Sequence, residues 1–572
     1  MARTLPSNTQ LAEQFELLAD MLELDGADAF RLTAYRRAAT RIRESAVPVA
    51  QLAQEGNATK LSGIGTTIQN KILEFSETGD LSAIAKLRDK LPPGLVEVMH
   101  VPGLGPKTAK KLYAELGVQS AADLRRAAEE GRLAPLPGLG AKTEEKVLKA
   151  LAKPKAKLER KTLLGKALPA VERAVAELRE HPAAERVSEA GSVRRRCETV
   201  RDLDIIATAS DPAALTAHFV SLPWVAEVAA HGSTKATVVS HDGLRFDLRV
   251  VPPESYGNLL QHFTGSKAHN VALREEAVGR KLSVSEYGVK NVETDEVFHA
   301  ASEEELYDFL GYRWIPPELR ENRGELAAAR KGSLPDLVGL EDIAGDLHSH
   351  TTWSDGRASL EEMVDAARQL GRRYLAVCDH AKRLKDGRLE RQAEEIAVLT
   401  KRVRGIEVLS GVEVDIRADG SLDMPDEALG ERAWVMASIH SGFDKSRAEL
   451  TRRIEAAMEN PHVDCIGHPT GRKINRREAY EVDFEALLEK ALETGTFLEI
   501  NCQPDRLDLI DTHARAAGEA GVRLVISTDA HRVHELENLA LGVAQARRGW
   551  LTVDQIVNAR PWREVRKLMK KP

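Results

Sequence analysis

Cysteine is scarce in the chain: Cys197, Cys378, Cys465 and Cys502 are its four in 572 residues, and no two form a C-x-x-C pair. That scatter excludes a disulfide framework and a zinc ribbon, and it fits a reducing compartment. No apolar run is long enough to cross a bilayer. The opening M-A-R-T-L-P-S-N-T-Q lacks the apolar core of a secretory signal, so a cytoplasmic protein without membrane contact is expected. Period-2 alternation is nearly missing from residues 5–152, which excludes a β-rich beginning. What is present is an ordinary globular composition, 42% hydrophobic and 30% charged, long enough for three or four domains.

The net charge of −7 is unevenly spread. Residues 101–200 hold 21 Lys and Arg against 13 Asp and Glu, whereas residues 341–572 hold 35 against 41. A basic neck between acidic flanks suits a protein that tracks phosphates in one place and holds cations in another.

Residues 5–152 read as short amphipathic helices joined by glycine-rich turns. L-S-G-I-G-T-T at 61–67, V-P-G-L-G-P-K at 101–107 and L-P-G-L-G-A-K at 136–142 share one apolar-x-Gly-apolar-Gly pattern, each followed by a new helix. This is how a helix-hairpin-helix unit looks in sequence. Gly63, Gly65, Gly103, Gly105, Gly138 and Gly140 allow a tight turn and close backbone approach to phosphate, and the next helix offers its free N–H groups. Lys107, Lys110 and Lys111 follow the second turn. One such turn is an ordinary connection; three in a basic segment point to sequence-independent DNA binding.

From about residue 160 strands mix with helices. In G-S-V-R-R-R-C-E-T-V-R-D-L-D-I-I, Asp202 and Asp204 sit two apart on a strand, hence on one face and ~6–7 Å apart along it. Asp247 in L-R-F-D-L-R-V-V shares a face with Arg245 and Arg249. Three carboxylates on paired strands suit two divalent cations and in-line phosphoryl transfer, with Gly191 and Ser192 as phosphate donors and Arg195 as a charge clamp.

With these residues assembled, residues 8–320 resemble the family X DNA polymerases, the group of DNA polymerase beta. The family's G-S-x-R-R and D-x-D stand here as Gly191–Arg195 with Asp202 and Asp204, and its third aspartate falls on Asp247. Its aromatic-F-T-G-S motif appears as H-F-T-G-S, which places Phe263 and Gly265 at the nucleotide. The resemblance implies minor-groove and template contacts for Asn270 and Arg274. His262 stands where relatives carry the tyrosine that helps exclude ribonucleotides, so relaxed sugar discrimination is expected. Lys71 falls on the lysine that eukaryotic relatives use as a deoxyribose-phosphate lyase. Phe30 and Thr67 replace that lyase's polar helpers, so phosphate contact is expected of Lys71.

Residues 321–343 are polar, then Ala-rich, then contain Gly332 and Pro335, and read as a linker. Beyond them strand-like and helical segments alternate as in a β/α barrel or doubly wound sheet. D-L-H-S-H-T-T-W-S-D-G supplies His348, His350 and Asp355, and later strand ends supply His380, Glu413, His440, His468, Asp529 and His531. One lone histidine is usually structural, but a candidate ligand at nearly every strand end is not explained that way. Mixed imidazole and carboxylate donors suit Zn²⁺, Mn²⁺ or Fe²⁺. Arg472 and Lys473 follow His468 and are candidates for steering an anionic substrate. Residues 344–572 resemble the polymerase and histidinol phosphatase (PHP) domain, which implies a distorted (β/α)₇ barrel, three metal ions and phosphate-ester hydrolysis.

The expected organisation is multidomain. A helical DNA-binding domain covers 1–85, a second helix-hairpin-helix domain 86–152, an α+β nucleotidyltransferase palm 153–252, a thumb 253–320, the linker 321–343 and the PHP domain 344–572. The expected activities are short-gap filling with Mg²⁺ or Mn²⁺ and Mn²⁺-dependent 3′-end processing, on gapped or primed duplex with dNTPs, by a nucleoid-associated monomer. The alternatives are a nucleotidyltransferase on a non-DNA acceptor with a small-molecule phosphatase, and a DNA-end-binding scaffold with a silent core.

Overall fold

The computed structural model describes all residues except 1–4, 7, 44, 46–48, 62, 102–103, 153–160 and 571–572. The chain forms two compact units, residues 1–160 and 161–572. No helix of the described residues is long and apolar enough to cross a membrane.

The first unit is helical. The helices Asn8–Asp25, Ala29–Arg43 and Thr66–Thr78 close one core around Phe15, Leu18, Ala38 and Ile72. Pro106–Leu116 and Ala121–Glu129 close a second around Leu95, Leu112 and Leu124.

In the second unit the strands are β1 Thr162–Leu163, β2 Ala184–Glu189, β3 Thr199–Val200, β4 Asp202–Ala209, β5 Val225–His231, β6 Lys235–Ser240 and β7 Arg245–Val250. Five of them form a sheet in the order β2-β4-β7-β6-β5, with β4 and β7 parallel and the other neighbours antiparallel. Alternation sorts the faces: Leu203, Ile205, Phe246 and Leu248 are buried, and the acidic residues between them point the other way. The thumb adds β8 Leu282–Ser285, β9 Gly288–Asn291 and β10 Val297–Phe298 as an antiparallel meander. Residues 321–343 contain the helix Glu325–Lys331, whose Leu326 and Ala329 share the thumb core with Leu306, Tyr307 and Leu310.

Seven parallel strands follow in sequential order: β11 Gly345–Ser349, β12 Tyr374–Val377, β13 Glu407–Asp415, β14 Trp434–Ser438, β15 Cys465–Ile466, β16 Phe497–Asn501 and β17 Leu524–Ser527. A parallel bridge between Ser349 and Ala530 brings the first strand to the last and nearly closes the barrel. Runs such as W-V-M-A-S and L-V-I-S are buried along their whole length, as strands covered on both faces must be. All four cysteines are free thiols.

Candidate functional site

The strand register brings the palm acids together. Asp204 lies opposite Asp247 on adjacent strands β4 and β7, and Asp202 lies opposite Arg245. Thr237, opposite Asp247 on β6, donates its hydroxyl to that carboxylate. The Arg245 guanidinium reaches both Asp247, at 3.1 Å, and Asp202, at 3.7 Å. Burial, then the neighbouring Asp247 and Asp202 carboxylates, push Asp204 up to about 6. A buried carboxylate facing two like-charged neighbours gains from a cation placed among them, so the donor set fits divalent metal.

The loop of Gly191 and Ser192 stands on the same acids. Gly191, at φ +63°, leads the short helix Gly191–Arg194, and a Cβ there would lie 2.2 Å from Asp204 Oδ2. No side chain fits at that position, and an L-residue would also strain its backbone. Ser192 stays partly accessible beside it. Arg195 donates its Nε to Glu321 at 2.9 Å and a terminal nitrogen to the Thr264 carbonyl at 2.8 Å. Burial alone would raise Glu321, but the Arg548 and Arg195 guanidiniums hold it down at about 2.

Helix Tyr256–Thr264 carries His262 and Phe263 and ends at Gly265. Arg249 of β7 lies 4.5 Å above the Phe263 ring. Asn270 donates to the His262 carbonyl at 2.7 Å and accepts from Gln261 at 2.9 Å. Arg274 lies 3.0 Å from His262 Nδ1, and Glu286 lies 3.8 Å from its Nε2. His262 is therefore also the partner of Arg274, a role its position in the motif does not disclose. Burial pulls its pKa below the usual imidazole value, so near neutrality Nδ1 is free to accept from that guanidinium.

In the first unit the hairpin turns have the expected geometry where they are described. Gly63 and Gly138 adopt φ +88° and +87°, a left-handed turn that favours glycine. Gly65 and Gly105 cap the helices Thr66–Thr78 and Pro106–Leu116 without a side chain, which leaves the first-turn amides open. Gly140 immediately precedes the third such helix, Ala141–Ala152. Gly103 lies outside the described residues. Lys107 and Lys110 are exposed, and Lys71 is half-buried. Lys111 instead donates to the Pro137 carbonyl at 2.6 Å, tying one hairpin to the next.

The barrel gathers all nine sequence-derived ligands at one rim. Four groups place their donor atoms within 4.8 Å of one another: His350, Asp355, His380 and His531; His348, His350 and Asp529; Glu413, His440 and His468; and His380, Asp415 and His440. Several imidazoles have Nδ1 already committed. His348 gives it to Glu499 at 2.7 Å, His440 to Asp415 at 2.6 Å and His531 to the Asp529 carbonyl at 2.8 Å. Each bond fixes the tautomer and leaves Nε2 facing the centre, as a metal ligand requires. Buried Glu413 Oε1 finds no hydrogen-bond partner although the Nε2 atoms of His348, His440 and His468 lie 3.7, 3.4 and 3.3 Å from it, and such an orphaned oxygen is what a cation would satisfy.

The charges agree with that reading. Although burial opposes it, Glu413 and Asp355 hold His380 up at about 10, and Glu413 and Asp415 hold His440 up at about 9. Burial takes His468 down to about 4. The acids keep protons on the imidazoles where cations would otherwise stand, so metal and protons compete for this centre.

Glu499 and Asp415 escaped the sequence reading: Asp415 shares β13 with Glu413, where E-V-D held the signal, whereas Glu499 lies on β16, which carries none of the nine. A cleft of about 720 Å³ opens onto the centre and is lined by Lys473, Gln503, Arg506 and His534, and by Leu163 and Gly165 of the palm. Lys473 thus faces the cleft, where Asp505 holds it at 2.8 Å. Arg472 turns away to Glu198 of the palm and the Arg506 carbonyl.

The comparisons with known proteins follow the same division. Residues 6–81 match the helix-hairpin-helix domain and 95–153 the SAM-like helix-hairpin-helix tandem. Residues 259–321 match the DNA polymerase beta thumb, and 346–503 the PHP domain. A probable phosphatase of Thermoanaerobacter sp. (strain X514) is 30% identical over 37% of this chain and 89% of its own length. Another from Caldanaerobacter subterraneus is 32% identical over 32% of this chain and 75% of its own. The DNA polymerase/3′-5′ exonuclease PolX of Bacillus subtilis (strain 168) is 40% identical over 97% of this chain and 98% of its own. Since that likeness runs through the hairpins, palm, thumb and barrel together, the chain belongs to the family X DNA polymerases that carry a C-terminal PHP domain.

Proposed function

We propose that this family X DNA polymerase and PHP 3′-5′ exonuclease fills short gaps in DNA and trims the 3′ ends it extends. The observation that carries the reading is the pairing of two intact sites in one chain: Asp204 opposite Asp247 in the palm, and nine ligands around one barrel rim. The likeness to the Bacillus enzyme over nearly the full length favours a DNA substrate over a small-molecule acceptor.

Asp202, Asp204 and Asp247 would hold Mg²⁺ or Mn²⁺, and the barrel ligands three ions drawn from Mn²⁺, Zn²⁺ or Fe²⁺. When bound, such cations supply Lewis acidity at phosphorus and water of lowered pKa. The protein's own part is positioning. Gly191, Ser192 and Arg195 grip the triphosphate, so that the primer 3′ oxygen meets the α-phosphorus in line while pyrophosphate leaves. Asn270 and Arg274, which lie against His262, read the minor groove and template. The hairpin glycines with Lys71 and Lys107 hold the backbone of a gapped or primed duplex. Lys473 and Arg506 draw the 3′-terminal phosphodiester into the barrel cleft. We place the monomer on the nucleoid in the cytoplasm.

On a duplex with a one-nucleotide gap and all four dNTPs, the full chain is expected to insert the complementary nucleotide and to degrade the same 3′ end when dNTPs are withheld and Mn²⁺ is present. Extension that ignores the template base would refute the assignment. His262→Tyr is expected to raise the ratio of deoxyribonucleotide to ribonucleotide incorporation, because a bulkier ring returns beside the sugar. The two kcat/KM values measure it, and an unchanged ratio assigns sugar choice to the backbone.

A further inference from the structure

A chain of buried charges runs from the polymerase phosphate loop into the barrel. Arg548, the last residue of helix Leu539–Arg548, donates to Glu321 Oε1 at 2.9 Å, the same oxygen that takes Arg195 Nε. It also donates to the backbone carbonyl of Arg195 at 2.9 Å. Its other terminal nitrogen meets Asp511 at 2.8 Å, and Asp511 takes Arg323 at 2.9 Å. The side chains of Arg195, Glu321, Arg548 and Asp511 are 13%, 16%, 9% and 12% exposed. Bonds so shielded from water are stronger and more directional than surface pairs.

Two features separate this arrangement from ordinary domain glue. Arg548 grips both the counter-ion of the Arg195 side chain and the Arg195 main chain, so it fixes the loop and the guanidinium together. Arg195 also directly follows the short helix Gly191–Arg194, so the guanidinium that Arg548 steadies belongs to the same loop as Gly191 and Ser192.

We propose that Arg548 of the PHP domain is a positioning residue for the polymerase: acting through Glu321 and the Arg195 carbonyl, it holds Arg195 in the pose that grips the triphosphate of the incoming dNTP. The proposal rests on the reading of Arg195 as the triphosphate clamp. Arg548 itself touches no substrate. Nucleotide affinity is thus set partly by a residue more than 340 positions away in the nuclease domain.

The test is full-length Arg548→Met on a one-nucleotide gapped duplex. Met leaves Glu321 paired with Arg195 and Asp511 paired with Arg323, so neither carboxylate is stranded. KM for the dNTP is expected to rise about tenfold, the loss of one charge-assisted hydrogen bond, with kcat and 3′-end hydrolysis kept. Arg548→Lys, which cannot reach Glu321, Asp511 and the carbonyl at once, is expected to fall between. In an Arg195→Ala background Arg548→Met is expected to add nothing. An unchanged KM in Arg548→Met, or effects of the two substitutions that multiply, would overturn the proposal. If Arg195→Ala alone leaves KM unchanged, the clamp reading fails first and takes the proposal with it. Should Arg548→Met melt before assay, Arg548→Lys carries the test alone and in the Arg195→Ala background, and an unchanged KM again overturns it.

Discussion

Asp204→Ala is expected to lower nucleotide incorporation by at least roughly a thousandfold while leaving gapped-duplex affinity near that of the parent. Asp204 is the most constrained of the three palm acids: Asp247 faces it across the ladder, and Gly191 is packed on its carboxylate. On the proposed reading its removal takes away a cation ligand and the packing under the Gly191 loop at once. DNA affinity comes, on the same reading, from hairpin amides and lysines at the backbone phosphates, so it is not expected to depend on this carboxylate. Asp202→Ala and Asp247→Ala are expected to behave alike. Single-turnover extension and a parallel binding titration decide the matter; extension by Asp204→Ala at near the parent rate rejects the two-cation assignment.

The same site has a stability signature of opposite sign. A carboxyl whose folded pKa stands at about 6, above its ordinary value of 3.8, destabilises the cation-free fold progressively as pH rises from about 4 to 6. At neutral pH the cost is roughly 2 kcal/mol once its partial exposure is allowed for. Asp204→Asn, inactive for lack of charge, is therefore expected to melt higher than the parent in chelator. A residue that lowers stability and is kept for chemistry is how functional acids behave.

How much of this the sequence disclosed depends on whether the signal is local. Asp202 and Asp204 share a strand face by period alone, and Asp247 sits at the matching place in another strand, so the palm site was legible before any pairing was known. The nine candidate ligands could be picked out because most stand at or just past the end of an apolar strand, and strand ends meet at one rim. Glu499 could not, since its role comes from the approach of His348 across 151 positions. Arg548 and Glu321 are joined across 227 positions, and no periodicity reports such a bond. Residues 321–343 are linker-like in composition because a seven-residue, Ala-rich helix stopped by Gly332 at φ +69° has little pattern of its own. Its burial comes from the thumb around it. Lys111 shows in sequence only as a charge after the second turn, and the Pro137 carbonyl that takes it is not visible there.

In the barrel, His350→Ala or Asp529→Asn is expected to remove Mn²⁺-stimulated 3′-end hydrolysis while the chain still fills gaps. His350 belongs to two of the four ligand groups, one with Asp355, His380 and His531 and one with His348 and Asp529, so its loss opens both. Asp529 lies 3.2 Å from His350 and 3.8 Å from His348, and Asn there keeps the shape but gives up the charge. Glu499→Gln makes the graded control. His348 keeps its place, but its Nδ1–H faces a weaker acceptor, and hydrolysis is expected to drop roughly 10–100-fold, the usual cost of losing an outer partner of a ligand. Incorporation is expected to survive all three changes, because the residues that hold the palm, Arg548, Leu541 and Leu507, are untouched. Asp204→Ala supplies the reciprocal arm and is expected to keep the exonuclease. Hydrolysis that persists in His350→Ala and Asp529→Asn but vanishes in Asp204→Ala would move the nuclease into the palm and leave the barrel centre without a reaction.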